Sequence, residues 1–242
     1  LNPIIIIPAR MASTRLPGKP LADIVGLPMI VHVMHRAQEA GIGPVAVACA
    51  DPEIAEAVRK AGGTAVMTDP SLPSGSDRVH AALGELDPQA RHDVVVNVQG
   101  DTPTLDPAAL RAVIGPLADP SIDIATLVAP IESEEEAANP SFVKAACVFE
   151  RGRAVSQALY FSRARVPSGD GPLWHHIGIY AFRRTALARF VALPESPLER
   201  RESLEQLRAL EAGMRIACTR VEHGPFGVDT PADLARARAL MA

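Results

Sequence analysis

Short unbroken apolar runs alternate along this chain with stretches in which apolar residues recur every three or four positions. The runs are IIII at 4–7, PVAVACA at 44–50, TAVMT at 64–68 and DVVVNVQGD at 93–101. Apolar runs of this length, closed by turn formers, suit strands buried on both faces of a parallel sheet. Helical patterns lie between them. Residues 28–40 carry Ile30, Val33, Met34 and Ala37 at i, i+3, i+4 and i+7, with Gly41 as the stop. Asp51 and Pro52 read as an N-cap and a first-turn proline. SGSDRVHAALGEL at 74–86 leads into a further helix. This alternation predicts an α/β fold, a parallel sheet with helices on both faces.

The second half is less regular. Residues 122–131, 142–150, 176–183 and 215–221 read as strands, ESPLERRESLEQLRALEAG at 195–213 as one long helix ending at Gly213, and TPADLARARALM as a terminal helix. SRARVPSGDGPL at 162–173 has no periodicity and is punctuated by Pro and Gly, as a mobile loop is. No internal repeat or long linker marks a boundary. A single domain is expected, about 1–120 as one half and about 121–242 as the other.

Composition narrows the class. A chain of 242 residues, 48% hydrophobic, can bury a substantial core. Its formal net charge of -4 argues against a broad nucleic-acid surface. Cys49, Cys147 and Cys218 are far apart and form no CxxC, so buried thiols are expected rather than a disulfide framework or a zinc site. No apolar run approaches membrane-spanning length, and the isoleucines meet charge too soon for a signal peptide. A cytoplasmic enzyme or binding protein fits best.

Against this mildly acidic whole, three cations crowd one loop. Arg10, Arg15 and Lys19 follow the first strand within PARMASTRLPGKPL. Ligands of parallel sheets bind beyond the carboxyl ends of the strands, so three cations there point to an anion, a phosphate first. GxxxxGK[ST] is not met, since position 20 is Pro, so backbone N–H groups with these side chains would wrap a triphosphate. A solvated loop is the bland alternative for one cation and a poor one for three. Asp101 closes NVQGD at the same rim and is a candidate for Mg²⁺, which takes one or two protein carboxylates and fills the rest with phosphate and water. A plain Gly-Asp turn is the alternative. In GVDTPADL, Thr230, Pro231 and Asp233 complete a capping box, which leaves Asp229 outside the helix as a second metal ligand. A charge favouring the helix dipole is the weaker reading.

PARMASTRLPGKPL, SGSDR, NVQGD, YFSRARVP, HIGIYAFR, LEQLRALEAG and GVDTPADL follow one another over nearly the whole chain. Together they resemble the 3-deoxy-manno-octulosonate cytidylyltransferases, the CMP-Kdo synthetases of Gram-negative bacteria. The resemblance implies a nucleotide-diphospho-sugar transferase type sandwich with a mostly parallel central sheet, in a homodimer whose contacts come from the second half. It implies that CMP passes from CTP to Kdo, with Mg²⁺, for lipopolysaccharide biosynthesis. Arg10, Arg15 and Lys19 match the CTP loop, Ser74, Gly75 and Arg78 the cytosine and ribose side, and Gln99 a position near both substrates. Asp101 and Asp229 match the magnesium pair. Arg163, His176, Tyr180, Glu202 and Gln206 match positions around the sugar acid. Chemistry agrees: a carboxylate with several hydroxyls calls for a cation such as Arg163, a His donor and amide or carboxylate partners. Glu202 and Gln206, four apart on the expected helix, would share a face; a solvated face or plain core for Tyr180 is the alternative.

The chain departs from the family pattern at Thr102, where relatives carry a carboxylate, at Leu72, often His, at His175, and in a shortened 167–174 loop. None of these removes a triphosphate or metal residue; they bear on the sugar specificity and on local substrate contacts. The competing readings are a cytidylyltransferase for another sugar acid, sialic-acid-like or 8-amino-Kdo, and a non-catalytic nucleotide-binding module. A nicotinamide dehydrogenase is disfavoured, because no GxGxxG follows the first strand.

Overall fold

The structure, a computed structural model, describes residues 1–13 and 15–242; Thr14 of the opening loop lies outside the described residues. In chain order the elements begin β1 (Pro3–Ala9), β2 (Asp23–Ile24), β3 (Leu27–Pro28), α1 (Met29–Glu39), β4 (Val45–Cys49), α2 (Pro52–Lys60), β5 (Thr64–Met67), α3 (Gly75–Leu86), β6 (Val94–Asn97) and α4 (Pro107–Ile114). They continue β7 (Ile124–Pro130), α5 (Glu134–Ala138), β8 (Lys144–Ala146), β9 (Val155–Gln157), β10 (Tyr160–Ser162), β11 (Trp174–Arg183), α6 (Arg184–Ala192), α7 (Pro197–Glu202), α8 (Gln206–Glu211), β12 (Ile216–Arg220) and α9 (Pro231–Met241). Two compact units result, Leu1–Arg111 with Pro225–Ala242, and Ala112–Gly224.

In the first unit the strands run parallel in the order β5-β4-β1-β6. Ile5, Ile6 and Ile7 are wholly buried because β1 is central, with neighbours on both edges and cover on both faces. The apolar faces of α1 (Ile30, Val33, Met34, Ala37) and α2 (Ile54, Ala55, Val58) are buried, as their spacing predicts. The chain's last residues return to this unit. Val228, Leu234 and Ala237 bury against Ile24 and Met29, and Arg238 donates to the Asp23 carbonyl. That docking fixes where Asp229 lies.

In the second unit the sheet is mixed. β7 pairs antiparallel with β11 and parallel with β12, β9 pairs antiparallel with β12, and β8 pairs antiparallel with β10 and β11. Among the described residues no helix is long and apolar enough to cross a membrane, and the three cysteines are buried and free.

Four expectations need correction. The long helix at 195–213 is two short ones, broken where Ser203 takes a left-handed conformation (φ 55°, ψ 49°). The break is held on both sides: Arg163 donates to the Glu202 and Ser203 carbonyls that a continuing helix would have used. Glu199 of α7, whose capping box with Ser196 starts that helix, pairs with Arg208 of α8. The strand expected over 142–150 shrinks to Lys144–Ala146, since Lys144 turns its ammonium back onto the Asn139 and Phe142 carbonyls and Val148 bonds the Ser156 hydroxyl. Asp51 occupies the N-cap position of α2 but its carboxylate accepts from the Met11 amide instead, 2.7 Å away. The strand over 93–101 ends at Asn97, so Asp101 stands in the turn beyond it.

Candidate active site

The opening loop and the turn after β6 each owe their course to a glycine. Gly18 sits at φ 69°, a region costly for any residue with a Cβ, and turns the chain so that Lys19 starts a single 3₁₀ turn. Gly100 passes so close to β1 that a Cβ there would meet the Pro8 carbonyl oxygen at 3.0 Å. Both loops are thereby drawn to the carboxyl end of the parallel strands. A cavity of about 410 Å³ opens there, and every residue expected around the nucleotide and metal lines it: Arg10, Arg15, Lys19, Ser74, Gly75, Arg78, Gln99, Asp101 and Asp229.

Asp101 and Asp229 converge on one cation. Lys19 Nζ donates to Asp101 Oδ2 at 2.7 Å and to Asp229 Oδ1 at 3.0 Å, and Arg15 Nη2 lies 3.1 Å from Asp229 Oδ2. Burial alone would depress the Lys19 ammonium, but the two carboxylates outweigh it and hold the group above its ordinary value. Asp229 follows no strand and stands just ahead of α9. It is placed instead by the Val228 amide, which donates to the Asp101 carbonyl at 2.9 Å. Thr230 and Asp233 form the capping box of α9 by themselves, leaving the Asp229 carboxylate to the cavity.

The opposite wall favours anions. Ser74 caps α3 through the Asp77 amide, and the first turn of that helix opens to the cavity at Gly75. Arg78 is buried and braces the strand exit, donating to Thr68 Oγ1 and to the Asp69 carbonyl. Burial first, then the nearby charge of Arg10, lowers its guanidinium from the ordinary value. Two arginines are thus held close enough to repel, an arrangement that an anion between them relieves. The two carboxylates, sharing one cation, fit a magnesium ion that completes its shell with substrate phosphate and water. No cluster of three or more His, Cys, Asp or Glu exists among the described residues to form an all-protein metal cage.

The residues expected around the sugar acid lie in the second unit and divide into two groups. Arg163 and Glu202 are spent on each other's surroundings. The Arg163 guanidinium donates to the carbonyls of Pro140, Glu202 and Ser203, while the Glu202 carboxylate accepts from the Arg163 amide and the Ser162 hydroxyl. Glu202 and Gln206 do not share a helix face, because the break at Ser203 puts one at the end of α7 and the other at the start of α8. His176 and Tyr180 do come together, their ring centroids 5.4 Å apart. Burial pushes the His176 imidazole down to about 3, so the ring is neutral. Burial and then the Glu205 carboxylate push the Tyr180 phenol well up. Gln206 is 4% exposed, yet its Nε2 donor has no partner among the described residues, a cost that a ligand acceptor would remove. Glu205, beside Gln206 in LEQLRALEAG, is the residue that the one-helix reading passed over. Thr102 does not line the cavity; its hydroxyl closes the turn on the Gln99 carbonyl, so the carboxylate missing there is not missing from the cavity wall.

The cytidylyltransferase family model matches residues 4–216. The chain is 62% identical over 241 residues to the 3-deoxy-manno-octulosonate cytidylyltransferase of Paramagnetospirillum magneticum, covering 100% of this chain and 98% of the relative. To that of Rhodospirillum centenum it is 65% identical over 240 residues, covering 99% and 93%. It is similar to a solved structure of CMP:2-keto-3-deoxy-manno-octonic acid synthetase complexed with CTP, with TM-score 0.89 and 44% identity over 100% of this chain and 98% of that one. A cytidylyltransferase structure from Leptospira borgpetersenii shares the fold at TM-score 0.61 and 18% identity, covering 96% and 83%.

Proposed function

The chain belongs to the cytidylyltransferase family, among the 3-deoxy-manno-octulosonate cytidylyltransferases, and we propose that it transfers CMP from CTP to 3-deoxy-D-manno-octulosonate, releasing pyrophosphate. The observation that carries the reading is the cavity in which Arg10, Arg15, Lys19 and Arg78 surround a carboxylate pair. A triphosphate supplies the negative charge those cations lack, and the carboxylates suit its counter-ion. A mere nucleotide binder has no need of that pair.

The chemistry is an in-line displacement. The anomeric hydroxyl of the sugar acid attacks the α-phosphorus, the bond to the β-phosphate oxygen breaks, and pyrophosphate leaves. Little covalent work falls to the protein, so its contribution is positioning and charge neutralisation. Lys19 and Arg15 counter the charge growing on the leaving group, while Ser74, Gly75 and the first turn of α3 hold the nucleotide with Arg10, Arg78 and Gln99. Asp101 and Asp229 would hold Mg²⁺, which would supply Lewis acidity and charge neutralisation to the reacting phosphates. On the sugar acid, His176, Tyr180 and Gln206 make the direct contacts, with Glu205 added to them. Arg163 and Glu202 shape the turn that carries Gln206, and the two Arg163 N–H groups not used on the Pro140, Glu202 and Ser203 carbonyls are its means of meeting a carboxylate. The two halves work as one cytidylyltransferase domain, a homodimer of the cytoplasm serving lipopolysaccharide synthesis.

Phosphorus-31 NMR of the protein with CTP, Mg²⁺ and Kdo tests this reading. Triphosphate resonances should give way to inorganic pyrophosphate and one new phosphodiester. Release of CDP and phosphate, or no change, would contradict it.

A further inference from the structure

A threonine in β7 decides what His176 can offer a ligand. β11 slips against β7 between Ile177, opposite Leu127, and Tyr180, opposite Thr126, so Gly178 and Ile179 form a bulge. In an unbroken strand residues four apart stand about 13 Å apart. The bulge removes two of those steps and makes His176 and Tyr180 neighbours on one face. Thr126 is wholly buried beneath it. Its Oγ1 lies 3.0 Å from the Ile177 carbonyl oxygen, 2.8 Å from that of Ile179 and 3.0 Å from His176 Nε2.

A hydroxyl has one proton to give, and carbonyl oxygens can only accept. Were the proton aimed at the ring, two carbonyl oxygens would face hydroxyl lone pairs across a buried gap with no hydrogen between them. The single proton is therefore best placed on the carbonyl side, shared between the two oxygens, which leaves Oγ1 to accept from Nε2–H. In a neutral imidazole that leaves Nδ1 bare.

We propose that Thr126 is a positioning residue that holds His176 in the Nε2–H form, so that Nδ1 accepts a hydrogen bond from a hydroxyl of the sugar acid. This rests on the sugar-acid role given to His176 above. His176 then reads a hydroxyl rather than the carboxylate, and sugar acids lacking that donor are discriminated against because the buried acceptor is left unpaired.

Nitrogen-15 NMR of the His176 ring in the unaltered protein tests the first half without any substitution. Nε2 should resonate as protonated and Nδ1 as bare; a protonated Nδ1 overturns the proposal. Kdo added to the CTP-loaded protein should then shift Nδ1. An unmoved Nδ1 overturns the sugar-acid role of His176, a failure distinct from a wrong tautomer. In Thr126→Val the ring should lose its single tautomer, and KM for Kdo should rise about tenfold, the loss of one hydrogen bond, with KM for CTP unchanged. Thr126→Ser, which keeps the hydroxyl, should restore both. A Thr126→Val protein with native tautomer and native KM for Kdo contradicts the proposal. Should Thr126→Val not fold, because two bulge carbonyls lose their donor, the unaltered spectrum and the Thr126→Ser kinetics decide.

Discussion

Lys19 joins two aspartates that are remote in sequence, and that geometry governs how they respond to substitution. Its ammonium touches Asp101 and Asp229 together, within 3.0 Å of each, so the pair behaves as one unit. Asp101→Asn and Asp229→Asn keep the shape and remove the charge. Each should lower kcat by about 100-fold, the scale on which a single electrostatic group at a reacting centre acts. The double variant should be little worse than either single, because groups acting together are not additive. Turnover of the three variants over a magnesium titration checks this. Additive losses insensitive to magnesium would mean two unrelated sites. Asp229 could be read from the sequence because Thr230 and Asp233 visibly complete the cap without it. The tautomer of His176 could not, since it depends on a threonine fifty positions away and on a bulge that no local pattern announces.

At the scale of elements, strands and helices with strong periodicity were legible and their breaks were not. β1, α1, α3 and α9 lie where apolar spacing and capping residues put them. The long charged stretch at 195–213 carries no Gly or Pro inside its middle, so its pattern continues through Ser203 while the structure does not. Tertiary partners override the local preference there: Arg163 takes the carbonyls at the break and Glu199 takes Arg208. Glu199 and Arg208 are both largely buried, and Arg208 Nε donates to Glu199 Oε2 at 2.8 Å. Removing one member leaves a buried charge unpaired. Glu199→Ala should therefore cost about 3 kcal/mol of folding stability, well above the loss from a cap alone. Urea unfolding monitored by circular dichroism measures it. A loss below about 1 kcal/mol would mean that the α7–α8 turn stands without the pair.

For the whole molecule, the composition argued against a broad nucleic-acid surface and a disulfide framework, and the order of motifs reached the family; neither could reach the contacts of the second unit. The cavity of the first unit was legible because most of its lining residues stand just beyond strand ends or at helix starts, Asp229 being marked instead by the cap that Thr230 and Asp233 complete without it. The residues expected around the sugar acid could be named by type, but how they are arranged could not be read, since that arrangement turns on the break at Ser203 and the bulge in β11. The central claim is that CMP is transferred to Kdo, as opposed to another sugar acid or to none. Pyrophosphate release should be followed with CTP and Mg²⁺ alone, and then with Kdo, 8-amino-Kdo or a sialic acid added in parallel. The account predicts release that requires an acid and is fastest, by kcat/KM, with Kdo. Release without any acid, or a higher kcat/KM with another acid than with Kdo, would contradict it.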